Sequence, residues 1–367
     1  MTWTRRQVLA QFGIAAATIH TLDPHEICCS VDAHAATHEK NLFELKKVAD
    51  GVYAAFAGPA YKVNSNSAVI LTNDGAIVVD THSKPSAATA LYKDIQGVTK
   101  NPVKKIINTH FHWDHWQGNE IYKGAYPALE IIASEQTRQN MTKPDAGVGG
   151  LPHIERQIAA LPAEIEKLKE EVARTSDAEA KARVQSNLRQ AETYLEELKK
   201  MKPAPPTRGV PGGVTTLREG GREIQLHVVG RAHTDGDVFV YLPKEKVLVT
   251  GDAVVDWMPF IGDGFPEDWV QSLATLEKLD FTHIIPGHGD VAPKAQITFL
   301  KNYLADLIAA VKKAAADRAT LDEMKSKVAD QLAPKYEAGM SKYWTGRYRD
   351  RIAVNIEHVH KKVVKPA

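Results

Sequence analysis

Three histidines and an aspartate fall within six residues in the run Asn108-Thr109-His110-Phe111-His112-Trp113-Asp114-His115. Neutral imidazole and carboxylate are the donors that borderline divalent metals such as zinc prefer. The apolar run Val103 to Ile107 just before them reads as a strand. Alternate side chains of extended chain share a face, so His110, His112 and Asp114 leave the strand end in one direction. His115 starts the next turn and can fold back toward the same point.

Three further candidates stand in similar places. His233 lies in Gly230-Arg231-Ala232-His233-Thr234-Asp235-Gly236-Asp237, between the strand-like runs Glu223 to Val229 and Val238 to Leu242. Asp252 follows the run Val247 to Thr250, and His288 lies in Ile284-Ile285-Pro286-Gly287-His288-Gly289-Asp290. Each sits where a strand gives way to a glycine-containing loop, the usual place for groups that a rigid scaffold must aim. Taken singly, His233 or His288 is an ordinary loop histidine; with the first cluster, all three read as ligands.

With these residues the chain resembles the metallo-β-lactamase superfamily, whose signature is H-x-H-x-D-H followed by a His, an Asp or Cys, and a His. The resemblance covers roughly residues 45 to 300 and fills every ligand position. It implies an αββα metallo-β-lactamase sandwich with the site at one edge. It also implies two Zn2+ ions per chain, one held by His110, His112 and His233, the other by Asp114, His115 and His288, with Asp252 bridging. Such a pair lowers the pKa of a shared water toward neutrality and polarises a carbonyl. Asp114 then takes the catalytic role, ligating the metal and orienting the bridging hydroxide. The implied reaction is hydrolysis of a thioester, lactone, ester or β-lactam. A mononuclear-iron persulfide dioxygenase is the alternative, since those enzymes share the motif. Because Asp252 stands where some members use cysteine, the site resembles the glyoxalase II-like members more than the cysteine-containing lactamases. No G-x-S-x-G motif offers a serine nucleophile instead.

The elements that must position these residues are legible in outline. Val52 to Phe56, Ser67 to Leu71 and Ala76 to Val79 read as strands, with Asn73-Asp74-Gly75 as a hairpin turn. Asp80 resembles an acid that backs the ligands in this family; on residue chemistry alone it reads equally as a loop-capping carboxylate. Pro85 to Gln96 and Asp114 to Tyr122 read as helices, and Leu129 to Ala133 as a further strand. Between His115 and His233 the gap is longer than the family needs. Ile154, Ile158, Leu161, Ile165, Leu168 and Val172, then Val184, Leu188, Ala191, Leu195 and Leu198, recur at alternating spacings of three and four. This heptad pattern predicts two helices packed along a narrow seam, an inserted helical hairpin over about 151–202 projecting from the sandwich. Ser176 with Glu179 makes a capping box for the second helix, and Pro162 kinks or divides the first. The expected uses are a lid over the site or a homodimer contact. Trp113, Trp116, Trp257, Met258 and Phe260 offer an apolar rim for a small-molecule substrate, although aromatics beside a sheet are as often core.

Residues 37–300 are therefore expected to form the sandwich, and 301–367 a helical C-terminal extension packed on it. Helices are predicted at Pro266 to Leu279, Lys294 to Ala314, Leu321 to Leu332 and Tyr343 to Lys361; this tail does not match the small glutathione-binding domain of glyoxalase II. The 46 basic and 45 acidic side chains leave a formal charge of +1, which gives no electrostatic footprint for nucleic acid. No apolar run reaches the roughly 18 residues of a membrane span. Residues 1–36 differ from the body: Arg5-Arg6 precede the short apolar stretch Ala10 to Ile19, with Ala33-His34-Ala35 as a small-x-small site. The segment resembles a twin-arginine export signal, so a periplasmic location is expected, or a cytoplasmic one if the segment is no signal. Cys28 and Cys29, the only cysteines, both fall there, so a processed chain would have no disulfide framework.

Overall fold

The computed structural model describes residues 42–57, 64–143, 149–339 and 348–364. The segment that resembles an export signal and both cysteines lie outside the described residues. In the first half, β1 (Phe43–Ala49), β2 (Val52–Ala57), β3 (Ser67–Thr72) and β4 (Gly75–Val79) form an antiparallel meander. Helix α1 (Pro85–Val98) then crosses over to β5 (Val103–Ile107), which lies parallel to β4. The single turn α2 (Trp113–Trp116) and α3 (Asn119–Ala125) lead to β6 (Glu130–Ser134). After α4 (Glu135–Asn140), α5 (Gly150–Arg174) and α6 (Ala178–Lys200), β7 (Arg208–Val210) closes a seven-stranded sheet in the order β1 to β7.

The second sheet has six strands: β8 (Gly213–Glu219), β9 (Arg222–Val228), β10 (Phe239–Leu242), β11 (Val247–Gly251), β12 (His283–Pro286) and β13 (Ala292–Pro293), arranged in reverse order. Helix α7 (Pro266–Leu276) makes the crossover between the parallel strands β11 and β12. The chain ends in α8 (Ala295–Ala316), α9 (Leu321–Tyr336) and α10 (Tyr348–Val359), with a last wide turn at His360–Val364.

Period-two alternation explains the layering. Ile77 and Val79 of β4 enter the core between the sheets with Leu226, Val240, Val249 and Ile285, whereas Ala76 and Val78 face outward against Leu91 and Ile95 of α1. The outer face of the second sheet, Phe239, Tyr241, Leu248 and Ile284, packs against Trp269, Leu304, Leu307 and Ile352 of the C-terminal helices. Helix, sheet, sheet and helix thus form the αββα sandwich, with the helical extension as part of its outer layer. Burying each large aliphatic side chain contributes about 1.5–3 kcal/mol. Among the described residues, no helix is long and apolar enough to cross a membrane.

Two local readings are corrected. Asp177, not Ser176, caps α6, and its Oδ1 accepts from Ala180 N at 2.8 Å. Aspartate caps as well as serine does, and here it stands one residue nearer the helix. Pro162 does not divide α5, which runs on through it. The proline lies on the exposed side of α5, where water can satisfy the carbonyl that loses its partner.

The hairpin of α5 and α6 is also more than a projection. Burial fades toward its tip, where Leu168 and Val172 are only half-buried. At its base, Ile154, Leu161, Tyr194 and Leu198 close over Phe111, Trp113 and Trp116. Its apolar seam is consumed internally and against α2. The large hydrophobics exposed among the described residues are Val98 and Val214, neither of them on the hairpin. Removing residues 151–202 behind a short linker is expected to uncover both tryptophans, shifting indole emission to the red and lowering the unfolding midpoint. Native emission with an unchanged midpoint would contradict this packing.

Candidate metal centre

The parallel pairs β4–β5 and β11–β12 end at the same edge of the sandwich, so the loops after four strands meet there. His110, His112, Asp114 and His115 follow β5, His233 lies between β9 and β10, Asp252 follows β11, and His288 follows β12. The sheets are stitched together at this edge by Val238 N to Thr109 O at 2.8 Å and Asn66 N to Gly287 O at 2.7 Å. Glycine permits the closest approach: a Cβ on Gly287 would lie 2.0 Å from Asp252 Oδ1.

All seven predicted ligands converge, and all are buried. One group comprises His110, His112, His233 and Asp252; the other comprises Asp114, His115 and His288, and within each group the donor atoms lie within 4.8 Å of one another. His112 Nδ1 is 2.9 Å from His233 Nε2. Asp252 stands between the groups, with Oδ1 3.2 Å from His115 Nε2 and Oδ2 3.2 Å from His288 Nε2 and 3.7 Å from His233 Nε2. Asp114 Oδ2 lies 3.3 Å from His288 Nε2 and 3.7 Å from His115 Nε2.

Every imidazole is fixed by its other nitrogen. His110 Nδ1 meets Thr109 Oγ1 at 3.0 Å, and His112 Nε2 meets Asp263 Oδ2 at 3.0 Å. His115 Nδ1 meets Asp80 Oδ2 at 2.7 Å, His233 Nδ1 the Phe260 carbonyl at 3.2 Å, and His288 Nδ1 the Asn64 carbonyl at 2.8 Å. Such outer partners set the ring orientation and leave the inner nitrogen free to ligate. Asp80 combines both expected roles: it takes His115 and also caps the loop, accepting from Thr109 N at 2.8 Å and Thr109 Oγ1 at 2.7 Å. Its backbone is held at φ +59°, a strained value that these bonds maintain.

The donor set fits a cation. His110 Nε2, His115 Nε2, His288 Nε2 and Asp252 Oδ1 are buried without a hydrogen bond of acceptable geometry, although carboxylates lie near. Leaving such atoms unsatisfied costs about 1–3 kcal/mol each, which a ligand at their common focus would relieve. In the metal-free protein the neighbouring carboxylates favour protonation of two of these imidazoles, His115 and His288. Burial opposes charge on His115, but Asp252, Asp114 and Asp80 outweigh it and hold this imidazole well above the usual histidine range. His288 is likewise pushed up to about 10 by Asp252 and Asp114 against the effect of burial. His233, dominated by burial and the neighbouring His112, falls to about 3.

Several positioning residues escaped the sequence analysis. The run Asn64-Ser65-Asn66-Ser67 ties both halves of the site: Ser65 Oγ donates to Asp114 O at 2.5 Å, and Asn66 Nδ2 donates to the carbonyls of Pro286 at 3.0 Å and Gly289 at 2.8 Å. Ser67 Oγ donates to Asp80 O at 2.7 Å. The signal was a polar run directly before an apolar strand. The expected rim divides. Trp257 lies tilted over His288 with centroids 5.1 Å apart, and Phe260 turns an edge to His112 and His233, each at 6.2 Å. Trp113, Trp116 and Met258 are core. Beyond Phe260 stands His358 of α10, 5.9 Å away, so the C-terminal extension reaches the wall of the site.

The metallo-beta-lactamase superfamily model matches residues 60–288, well over half of the chain. The chain belongs to this superfamily. A "Metallo-beta-lactamase type 2" from Elizabethkingia meningoseptica is 31% identical over 81 residues, which are 20% of this chain and 32% of that protein. Its namesake from Bacillus sp. (strain 170) is 26% identical over 87 residues, 22% of this chain and 34% of that protein. The chain thus spans about a third of the length of these curated relatives. A metallo-beta-lactamase from Pontibacter korlensis superposes with a TM-score of 0.50 at 19% identity, over 72% of this chain and 99% of that one, which shows a shared fold.

Two outcomes follow for this superfamily member. Asp80→Asn removes the charge behind His115 and is expected to weaken divalent-metal binding roughly 10–100-fold. Unchanged affinity in a competitive chelator titration would remove Asp80 from the site. Because His115 and His288 carry protons in the metal-free protein up to about pH 10 for His288, metal must displace them. Loading near neutrality should therefore release roughly two protons, and affinity should rise with pH. Calorimetry in buffers of different ionisation enthalpy measures the release; a heat independent of buffer would contradict these protonation states.

Proposed function

We propose that the chain is a zinc-dependent hydrolase that cleaves a small carbonyl substrate, a thioester, lactone, ester or β-lactam. The observation that carries the reading is Asp252, whose carboxylate lies within 3.2–3.7 Å of imidazoles from both ligand groups. An acid shared in this way is suited to joining two ions. Two zinc ions held here would supply a Lewis acid for the carbonyl and an activated water at neutral pH.

The chain's own residues do the rest. His110, His112 and His233 would hold one ion, and Asp114, His115 and His288 the other, with outer hydrogen bonds keeping the rings aimed before any substrate arrives. Asp114 is fully buried and faces His288 and His115, which supports a role in which it would ligate the metal and orient the attacking water. Trp257 and Phe260 stand against ligand rings and would exclude bulk water from one side of the substrate. Asp263, held against His112, keeps that imidazole's inner nitrogen available.

The near-zero net charge offers phosphate-rich polymers no long-range attraction, which supports a small-molecule substrate rather than a nucleic acid. The curated relatives' name, metallo-beta-lactamase type 2, places β-lactams among the substrates to be tried, and an exported protein would meet them. A one-iron dioxygenase is less well supported, because it would leave a complete and buried second group without a use. The zinc-loaded protein should turn over at least one member of a panel of thioester, lactone, ester and β-lactam. Replacing His110 and His112 together by alanine should abolish that turnover, by a factor of about 10³ or more if the metals supply most of the catalysis. Turnover of a phosphodiester alone, or full activity in the double variant, would overturn the reading.

A further inference from the structure

The turn α2 carries two of the seven ligands, yet it is four residues long. So short a helix has no stability of its own and depends on what covers it. Residues three apart share a helix face. Trp113 and Trp116 therefore lie on one side, while Asp114 and His115 lie toward the metal groups. The sandwich holds the carbonyl side: Thr81 N and Asn108 Nδ2 donate to His115 O at 2.9 Å and 3.2 Å. The tryptophan side is covered by the base of the hairpin, where Ile154, Leu161, Tyr194 and Leu198 complete the cluster.

A buried polar clamp fixes the end of the turn. Gln117 caps α2, its N–H bonded to Trp113 O, and its side-chain amide is gripped by both helices of the hairpin. Gln117 Nε2 donates to Gln157 Oε1 of α5 at 2.7 Å, and Tyr194 Oη of α6 donates to Gln117 Oε1 at 2.9 Å. Gln117, Gln157 and Tyr194 are all buried, so a lost bond leaves a polar group without water to replace its partner. The Tyr194 ring also stands 6.5 Å from that of Trp113, across from His153 at 6.2 Å. At the hairpin's first residue, Gly150 N donates to Phe111 O at 3.0 Å, within the ligand loop itself.

We propose that the inserted hairpin is a positioning device for the Asp114–His115–His288 group, with Tyr194 and Gln157 as its positioning residues. Resting on the two-metal reading above, this makes occupancy of that group depend on helices that touch neither metal nor substrate. The group of His110, His112, His233 and Asp252 draws its outer partners from Thr109, Asp263 and Phe260. Where the start of the hairpin meets its loop, through the His112–Gly149 bridge and Gly150 N to Phe111 O, the contacts are made by backbone that Tyr194 and Gln157 do not supply.

The test is a titration of the full metal-free chain with zinc against a chromophoric chelator, resolving the two binding steps. His288→Ala identifies which step belongs to the second group, because it abolishes that one. In Tyr194→Phe, which loses one oxygen atom and keeps the ring against Trp113, that step should weaken roughly tenfold while the other changes by less than about twofold. Gln157→Leu should act in the same direction through the other helix. Asp177→Ala, which uncaps α6 at the far tip, should leave both steps unchanged. The inference is overturned if neither variant moves the second step, or if both steps weaken alike together with the melting temperature of the metal-free protein. A wild-type chain that takes up fewer than two zinc ions would overturn the two-metal reading itself, and that failure is visible before any variant is made.

Discussion

Two aspartates and five histidines are buried together at the edge where the two sheets end, and most of the structure around them follows from that burial. Carboxylates taken out of water are expensive unless opposite charge or hydrogen-bond donors surround them. Here the imidazoles supply that surrounding, and each is anchored from outside by a carbonyl, a hydroxyl or a further carboxylate. Asp80, Asp263, Thr109 and the carbonyls of Phe260 and Asn64 are thus part of one network rather than a set of separate contacts. The parallel crossovers, the glycines beside Asp252 and the strain at Asp80 all bring chain ends close enough for this network to close.

The same constraint explains why additions to the sandwich matter. A ligand turn of four residues needs a lid of apolar side chains on its far face, and the hairpin provides it. The C-terminal helices serve the opposite flank. Asn355 Nδ2 donates to Pro259 O at 2.9 Å and reaches Tyr303 Oη at 3.2 Å, holding the segment that presents Phe260. His358 meets that ring edge-on, with centroids 5.9 Å apart. Both additions therefore contact residues that frame the site.

The candidate ligands were legible in the sequence because metal chemistry restricts donors to a few residue types and strand geometry restricts their spacing. The strands around them were legible from alternation, and the hairpin from its heptads. What was not legible depends on contacts between residues far apart in the chain. Nothing local marks Asn66 as a tie to Gly289, or Gln117 as the meeting point of two helices that begin more than thirty residues later. Trp113 and Trp116 looked like rim because they flank ligands; only the fold shows that a one-turn helix sends them to the opposite face. Ser176 and Asp177 are adjacent and both cap well, so the choice between them rests on one residue of helix phase that periodicity does not resolve.

The central claim is that the seven side chains hold two metal ions with Asp252 between them. Crystals of the zinc-loaded protein, measured on both sides of the zinc absorption edge, test it most directly. The account predicts two anomalous peaks roughly 3.5–4 Å apart, one among His110, His112 and His233, the other among Asp114, His115 and His288. A single peak, or peaks ligated by other side chains, would contradict it.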